Sequence, residues 1–401
     1  MTQQDRRFRR VAALISIAAL TACSAASPSL QYAPASIADS VASPALNYRL
    51  IHEFGKGGDG DAPVAGLVAL NGKLYGTTEY GGRGGNGVVF RVGLIGGETI
   101  VHSFGKAPDG ENPAAGLIAI GNALYGTTEA GGKYNLGALF VIRKGGERVL
   151  HSFGSGDDGA KPLGGLIAVH SGAHVELYGT TSAGGKYAQG AVFRIATSGR
   201  PEEVIHSFGS GSDGSAPDAG LVAGRGVLYG TTSAGGGPSN DGTVFSITTG
   251  GRENVLTAFN CSDGKDPVAR LTILSGTIYG TTEMGGNSCT TEYGTVFSVS
   301  SGGTLRTVYS FGAAPDGESP AAGLIPSRGI LYGTTESGGA SGDGTLFSLS
   351  PAGKENVLHS FGSQTDGAYP VAAPLHAYGA LYGTTRGGGK FGGGTIYAYT
   401  R

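Results

Sequence analysis

The sequence predicts an all-β protein, a seven-bladed β-propeller of four-stranded antiparallel blades, and three observations carry that expectation. The first is a five-residue phrase, aliphatic-Tyr-Gly-Thr-Thr, at Leu74–Thr78, Leu124–Thr128, Leu177–Thr181, Leu228–Thr232, Ile278–Thr282, Leu331–Thr335 and Leu381–Thr385. Its tyrosines fall 50, 53, 51, 50, 53 and 50 residues apart, a period that belongs to propellers and other repeat arrays. The second is glycine. It supplies 77 of 401 residues, roughly three times the usual share of about 7%, without a Gly-X-Y period. With 39% apolar residues available for a core, that much glycine reads as turn chemistry for many short strands. The third is the order of strand and turn signals inside one repeat.

In the first unit Ala65–Leu70 is a short aliphatic run suited to a strand buried on both faces. Asn71-Gly72 follows as a hairpin signal. Lys73–Thr78 is the second strand, rich in β-favouring residues. A glycine-heavy loop, Glu79–Asn86, leads to a third strand at Gly87–Val92, a turn at Gly96-Gly97 and a fourth strand at Glu98–Phe104. No window of the unit has helical periodicity, and four antiparallel strands per unit make a blade. The last unit contains only three strands, Val371–His376, Ala380–Thr385 and Gly394–Thr400. Asn47–Phe54 has the fourth-strand pattern and precedes any first strand. The N-terminal strand is therefore expected to complete the last blade, leaving no open edge and a ring closed within one monomer. This connectivity puts the second-to-third and fourth-to-first loops on one upper face, where function is expected to concentrate.

Residues 47–401 are thus assigned to the propeller. Residues 1–22 read as a signal peptide, with Arg6, Arg7, Arg9 and Arg10 before an apolar run from Val11 to Leu20. That run falls short of the about 20 residues a membrane-spanning helix needs. Leu20-Thr21-Ala22-Cys23 resembles the bacterial lipobox, which implies cleavage before Cys23, its lipidation, and a membrane as partner through the anchor. Ser24 resembles an outer-membrane sorting signal, so the expected location is the cell envelope, at the outer membrane. Residues 23–46 hold the lipidated cysteine and a Ser/Ala/Pro tether. The formal charge is −2; without the four Arg and one Asp of the leader the balance is 24 basic to 29 acidic residues, or −5. With no basic patch, nucleic acid is excluded as a partner.

Candidate functional residues come from positions where the repeats differ. After each Thr-Thr stand Glu79, Glu129, Ser182, Ser233, Glu283, Glu336 and Arg386, expected to ring the central depression as ligand-site candidates or solvated rim. The adjoining loops carry Tyr80, Tyr134, Tyr187, Tyr293 and Phe391, with Lys133, Lys186 and Lys390 beside aromatics. Such aromatics either stack on sugars or anchor a protein partner, or else pack inward. Histidine recurs at His52, His102, His151, His206 and His359, and an Asp-Gly pair at Asp59, Asp109, Asp158, Asp213, Asp263, Asp316 and Asp366. The histidines, one per outer strand, are read as structural because they cannot all converge on one centre. The Asp-Gly pairs read as turns, with calcium the other reading, although no loop has the twelve-residue ligand pattern. Accordingly no metal, cofactor or catalytic residue is assigned. Cys261 and Cys289 fall in the two upper loops of the fifth unit and are expected to form a disulfide in an oxidising compartment. Elbow, zinc-protease and phosphate-loop motifs are missing from the sequence.

The Gly-Gly doublets from Gly81-Gly82 to Gly387-Gly388 resemble kelch repeats, but kelch and WD units expect a tryptophan and this chain has none. A fuller resemblance is to the bacterial choice-of-anchor tandem-repeat family called GloVer. Gly116-Leu117-Ile118, Leu124–Thr128, Gly131-Gly132 and Gly137–Phe140 carry it in the second unit, and Gly242–Phe245 and Gly294–Phe297 give its Gly-Thr-Val-Phe ending. It covers Asn47 to Arg401 and implies an exported or surface protein without implying an activity. In the fifth unit Ala269-Arg270-Leu271 departs from the usual Ala-Gly-Leu, which is expected to distort the inner strand.

The expected function is an extracytoplasmic binding or scaffold module for a glycan or protein partner. A lyase or hydrolase acting on polysaccharide through the Glu/Arg ring, and a purely structural surface protein, are the alternatives. The anchor is tested by Cys23→Ala: the variant should leave the membrane fraction for the soluble one, and continued membrane association would refute lipidation.

Overall fold

The computed structural model describes residues 47–171, 174–198, 201–224, 226–286, 289, 293–362 and 366–400. The signal peptide, Cys23 and the tether lie outside these. Strands account for all the regular structure among the described residues, in seven four-stranded antiparallel sheets and four two-stranded ribbons. Blade 1 comprises Val68–Leu70, Lys73–Thr78, Val88–Gly93 and Gly96–Ser103, hydrogen-bonded in that order from the inside outward. Blades 2 to 6 repeat this order along the chain. Blade 7 combines Leu375–Ala377, Ala380–Thr385 and Thr395–Tyr399 with the N-terminal strand Tyr48–Glu53. The closing pair is antiparallel, with Tyr48 opposite Tyr399 and Glu53 opposite Thr395. The expected closure is thus present.

Two local expectations shift. The inner strands are three to five residues long and begin later than expected, as in Val68–Leu70. The preceding residues instead lie against the neighbouring blade: a Cβ on Gly220 would stand 2.5 Å from the Gly165 carbonyl oxygen. In blade 1 the outer turn is Leu94-Ile95, because Gly93 pairs directly with Gly96.

The core is divided into seven slabs, each between adjacent blades. Between blades 2 and 3, Tyr125, Leu139, Val141 and Phe153 pack on Leu166, Leu177, Phe193 and Ile195. An aromatic pair marks each seam. The fourth-strand aromatic of one blade meets the third-strand aromatic of the next in Phe54–Phe90, Phe104–Phe140, Phe153–Phe193, Phe208–Phe245, Phe259–Phe297, Phe311–Phe347 and Phe361–Tyr397, with centroids 4.9–5.2 Å apart. Pairs of this geometry contribute beyond their buried area, about 0.5–1.5 kcal/mol each.

The repeated phrase serves this construction residue by residue. Leu and Tyr pack in the slabs. The glycine lies under the third-strand aromatic, where a Cβ on Gly76 would come within 2.5 Å of Phe90 Cζ. The first threonine reaches across the seam: the Thr180, Thr281 and Thr334 hydroxyls donate to the carbonyls of Ala219, Ala322 and Ala372 at 2.7, 2.9 and 3.1 Å. Thr384 closes the circle by donating to Ala65 of blade 1. The second threonine stays within its blade. Thr78 Oγ1 donates to the Tyr80 carbonyl in the upper loop and accepts from the Val88 N–H of the third strand.

Candidate functional site: the upper face and the seams

The upper loops are built to one plan. Each fourth-to-first loop pairs with the second-to-third loop of the blade it leads into, as a short ribbon or a single bridge; Gly60–Asp61 pairs with Tyr80–Gly81. A residue in the left-handed region follows in every unit: Ala62, Asn112, Lys161, Ala216, Asp266, Ser319 and Tyr369, with φ from 53° to 60°. Its carbonyl accepts the N–H of the residue after Thr-Thr at 2.9–3.0 Å, from Glu79→Ala62 round to Arg386→Tyr369. The variable ring is therefore pinned by its backbone and free to vary in its side chains.

Those side chains largely compensate one another. Lys161 lies 3.7 Å from Glu129, and the Ser233 hydroxyl donates to Asp218 at 2.8 Å and also contacts the Ala216 carbonyl. Tyr80 bonds Glu79 and sits in the fields of Arg386 and Glu129; burial, then Glu79, pushes its hydroxyl up to about 12. Glu283 and Glu336 are partnered as well. Glu79, Glu129, Glu283, Glu336 and Arg386 are all half-buried, a braced rim rather than a set of uncommitted groups.

The aromatic candidates divide. Tyr80, Tyr134, Tyr187 and Phe391 are exposed, at 38–41%, whereas Tyr293 is partly buried against the slab between blades 5 and 6. Three of the exposed rings occupy the same loop position and carry a lysine: Lys133 is 4.9 Å from the Tyr134 centroid, Lys186 5.3 Å from Tyr187, and Lys390 5.5 Å from Phe391. Lys56 adds a second cation 5.7 Å from Phe391. These pairs stand toward the outer rim: the backbone N–H groups of Lys133 and Lys186 donate to the fourth-strand Ser152 and Ser207.

The histidines and Asp-Gly pairs form one device that separate reading of the two motifs missed. Each histidine meets the aspartate seven residues on: His52–Asp59, His102–Asp109, His151–Asp158, His206–Asp213 and His359–Asp366, at 2.7–3.3 Å. After the outer strand of blade 4 the spacing is broken and Asn260 takes the aspartate instead; on blade 5 the Tyr309 hydroxyl replaces the imidazole at 2.9 Å. The aspartate also gathers the loop, as when Asp109 accepts from the Gly105 and Gly110 N–H groups at 2.9 and 2.8 Å. Burial alone would raise the Asp109 carboxyl, but His102 and these amides more than offset it and hold it below the usual range. The turn reading of the Asp-Gly pairs thus has its geometry.

A glutamate from the next blade completes several of these clusters. Glu98, Glu147 and Glu202 each bring a carboxylate oxygen within 4.8 Å of the ligand atoms of His52–Asp59, His102–Asp109 and His151–Asp158 respectively. Each glutamate precedes its own blade's histidine by four residues, a spacing that would put both on one face of a regular strand. They face opposite seams because a bulge intervenes: register slips between Val89 and Phe90 in blade 1, and at the matching third-strand position in blades 2 to 6. A bulge inserts one residue and reverses the facing of everything beyond it. Burial, followed by the charge of the facing aspartate, raises Glu98 and Glu147, and pushes Glu202, Glu253 and Glu355 up to about 7.

A cleft of about 620 Å³ opens at the seam between blades 7 and 1, lined by His52, Asp59, Glu98, Lys56, Ile100 and Phe391 among others. At the inner end, Arg270 occupies the place of the inner-strand glycines. Its Nε donates to the Leu221 carbonyl of blade 4 at 2.9 Å, and its side chain keeps access to solvent while protein walls around it depress its basicity. The inner strand Thr272–Leu274 keeps its pairing with Thr277–Thr282 despite it. On the upper side of the same blade Cys261 and Cys289 are bridged, with Cα atoms 5.4 Å apart, a crosslink that contributes about 2–4 kcal/mol.

The seam carboxylates make stability depend on pH. Glu355 ionises near 4.5 when unfolded but near 7 in the fold, so the folded state holds the extra proton between these values. Its contribution therefore declines as pH rises from about 4.5 to about 7 and stays low above that. Glu355→Gln should match the wild-type melting temperature near pH 4.5 and exceed it at pH 8. A difference that does not change with pH would contradict this assignment.

Comparison with solved structures finds matches at low identity. A puromycin hydrolase is 12% identical, with 81% of this chain and 50% of that one covered at a TM-score of 0.50. A puromycin-hydrolysing peptidase of Mycobacterium tuberculosis is 12% identical (84% and 53% covered, TM-score 0.48), and a putative 6-phosphogluconolactonase of Bacteroides fragilis 14% identical (77% and 86%, TM-score 0.44). The chain spans about half the length of the two hydrolases, and at such identities the likeness is one of fold. No curated protein matches the chain. The model of the Gloeobacter/Verrucomicrobia repeat matches residues 40–240 and 233–401, and the chain belongs to that repeat family, as its repeated motifs imply.

Proposed function

We propose that the protein is a lipid-anchored extracytoplasmic module whose upper rim binds glycans at several equivalent positions. One observation carries this reading: Lys133–Tyr134, Lys186–Tyr187 and Lys390–Phe391 repeat a cation beside an exposed aromatic face on three blades. An aromatic face accepts the apolar face of a pyranose, while neighbouring lysine and carboxylate groups can bond its hydroxyls. Each step is a modest site, and several on one disc gain strength by avidity toward a repeating polymer. The anchor reading rests on the lipobox resemblance at Cys23, and the protein would then hold its ligand near a membrane surface.

Glycan-array screening followed by titration with any polysaccharide hit tests this. The combined Tyr134→Ala, Tyr187→Ala and Phe391→Ala variant should bind at least about 10-fold more weakly, since each lost stacking face is worth on the order of 1 kcal/mol. Undiminished binding by the triple variant, or no hit at all, would overturn the reading. Product formation lost in Glu336→Gln would instead identify a hydrolase or lyase working through the inner ring.

A further inference from the structure

We propose that the seams between blades 7 and 1, 1 and 2, and 2 and 3 are binding sites for a divalent transition-metal cation of the zinc class. The ligand sets are His52, Asp59 and Glu98; His102, Asp109 and Glu147; and His151, Asp158 and Glu202. Each set converges from two blades, with candidate ligand atoms within 4.8 Å of one another. A tetrahedral zinc ion with bonds of about 2.0–2.1 Å holds its ligands about 3.3 Å apart. The imidazole Nε2 and carboxylate Oδ2 already stand 3.3, 3.1 and 2.8 Å apart in the three sets.

A second observation points to something between these groups. Oε1 of Glu98, of Glu147 and of Glu202 is cut off from solvent and has no hydrogen-bond partner. A buried carboxylate oxygen without a donor is costly, and here it faces a second carboxylate. A cation between the two would satisfy the orphan oxygen and cancel the repulsion together.

The repeats supply an internal comparison. Where the histidine is replaced by Thr257, the glutamate position of the next blade is Leu305, so the imidazole and the facing carboxylate are lost together, whereas Tyr309 in place of histidine faces a retained Glu355. Asp263 remains, consistent with its separate duty in the turn. Where Tyr48 takes the glutamate position, its ring stacks on His359 at 4.0 Å and fills the space with carbon. One imidazole and two carboxylates suit zinc or manganese better than calcium, which takes six to eight oxygens. Three protein ligands leave a coordination position for water, and the 620 Å³ cleft gives the first site a route to solvent.

The inference does not depend on glycan binding and is tested without sugar. Untagged protein, treated with chelator and dialysed against micromolar zinc chloride at pH 7.5, should retain about three zinc equivalents by elemental analysis. The combined Glu98→Gln, Glu147→Gln and Glu202→Gln variant, shown folded by circular dichroism, should lose about three. A difference below one equivalent would overturn the proposal. So would loss of the bound metal on His170→Gln and His174→Gln, which removes the exposed histidines of the blade 3 hairpin.

Discussion

In five of the seven Tyr-Gly-Thr-Thr phrases the hydroxyl of the first threonine leaves its own blade and donates to a backbone carbonyl on the next. Around this bond the rest of the seam is assembled: the glycine that admits the aromatic, the paired rings behind it, and the aliphatic slab. A four-stranded sheet this small cannot bury both its faces alone. Each blade is completed by its neighbour, and the N-terminal strand Tyr48–Glu53 turns that chain of dependences into a circle. Two seams lack the bond, since the Thr127 and Thr231 hydroxyls are buried without a partner. Both precede blades whose segment before the inner strand departs from Ala-Gly, at Gly164-Gly165 and Ala269-Arg270, although Ala372-Ala373 departs as well and still accepts the Thr334 hydroxyl.

The same seams carry a polar layer outside the apolar one. His–Asp pairs stitch the end of each outer strand to its loop, and glutamates from the following blade face them. This layer is less self-sufficient than the inner ring on the upper face. There Lys161 serves Glu129 and Asp218 serves Ser233, while across the seams carboxylate confronts carboxylate. The contrast explains why the seams, rather than the central depression, hold the strongly shifted glutamates.

The blade order, the closing strand and the disulfide were legible because they depend on local spacing: a fixed phrase, a hairpin signal, two cysteines in facing loops. The shortening of the inner strands was not, because it follows from neighbouring backbones meeting at glycines such as Gly165 and Gly220. The pairing of His102 with Glu147 was hidden for a different reason. Period-two reasoning puts Glu98 and His102 on one face, and only the bulge opposite Val89 and Phe90 sends them to different seams. Its signal was nevertheless present, in the joint replacement of histidine and glutamate by Thr257 and Leu305. Exposure of the rim aromatics was likewise undecided by sequence, and Tyr293 packs inward while Tyr134 does not.

If blade-to-blade threonine bonds hold the ring together, removing a hydroxyl should matter only where it has a partner. Comparing Thr281→Val with Thr231→Val by chemical denaturation tests this directly. Thr281 donates to Ala322 at 2.9 Å, and its loss leaves a buried carbonyl unsatisfied at a cost of about 1–3 kcal/mol. Thr231 has no partner, so valine there should be neutral or stabilising. Equal destabilisation by the two substitutions would contradict the account.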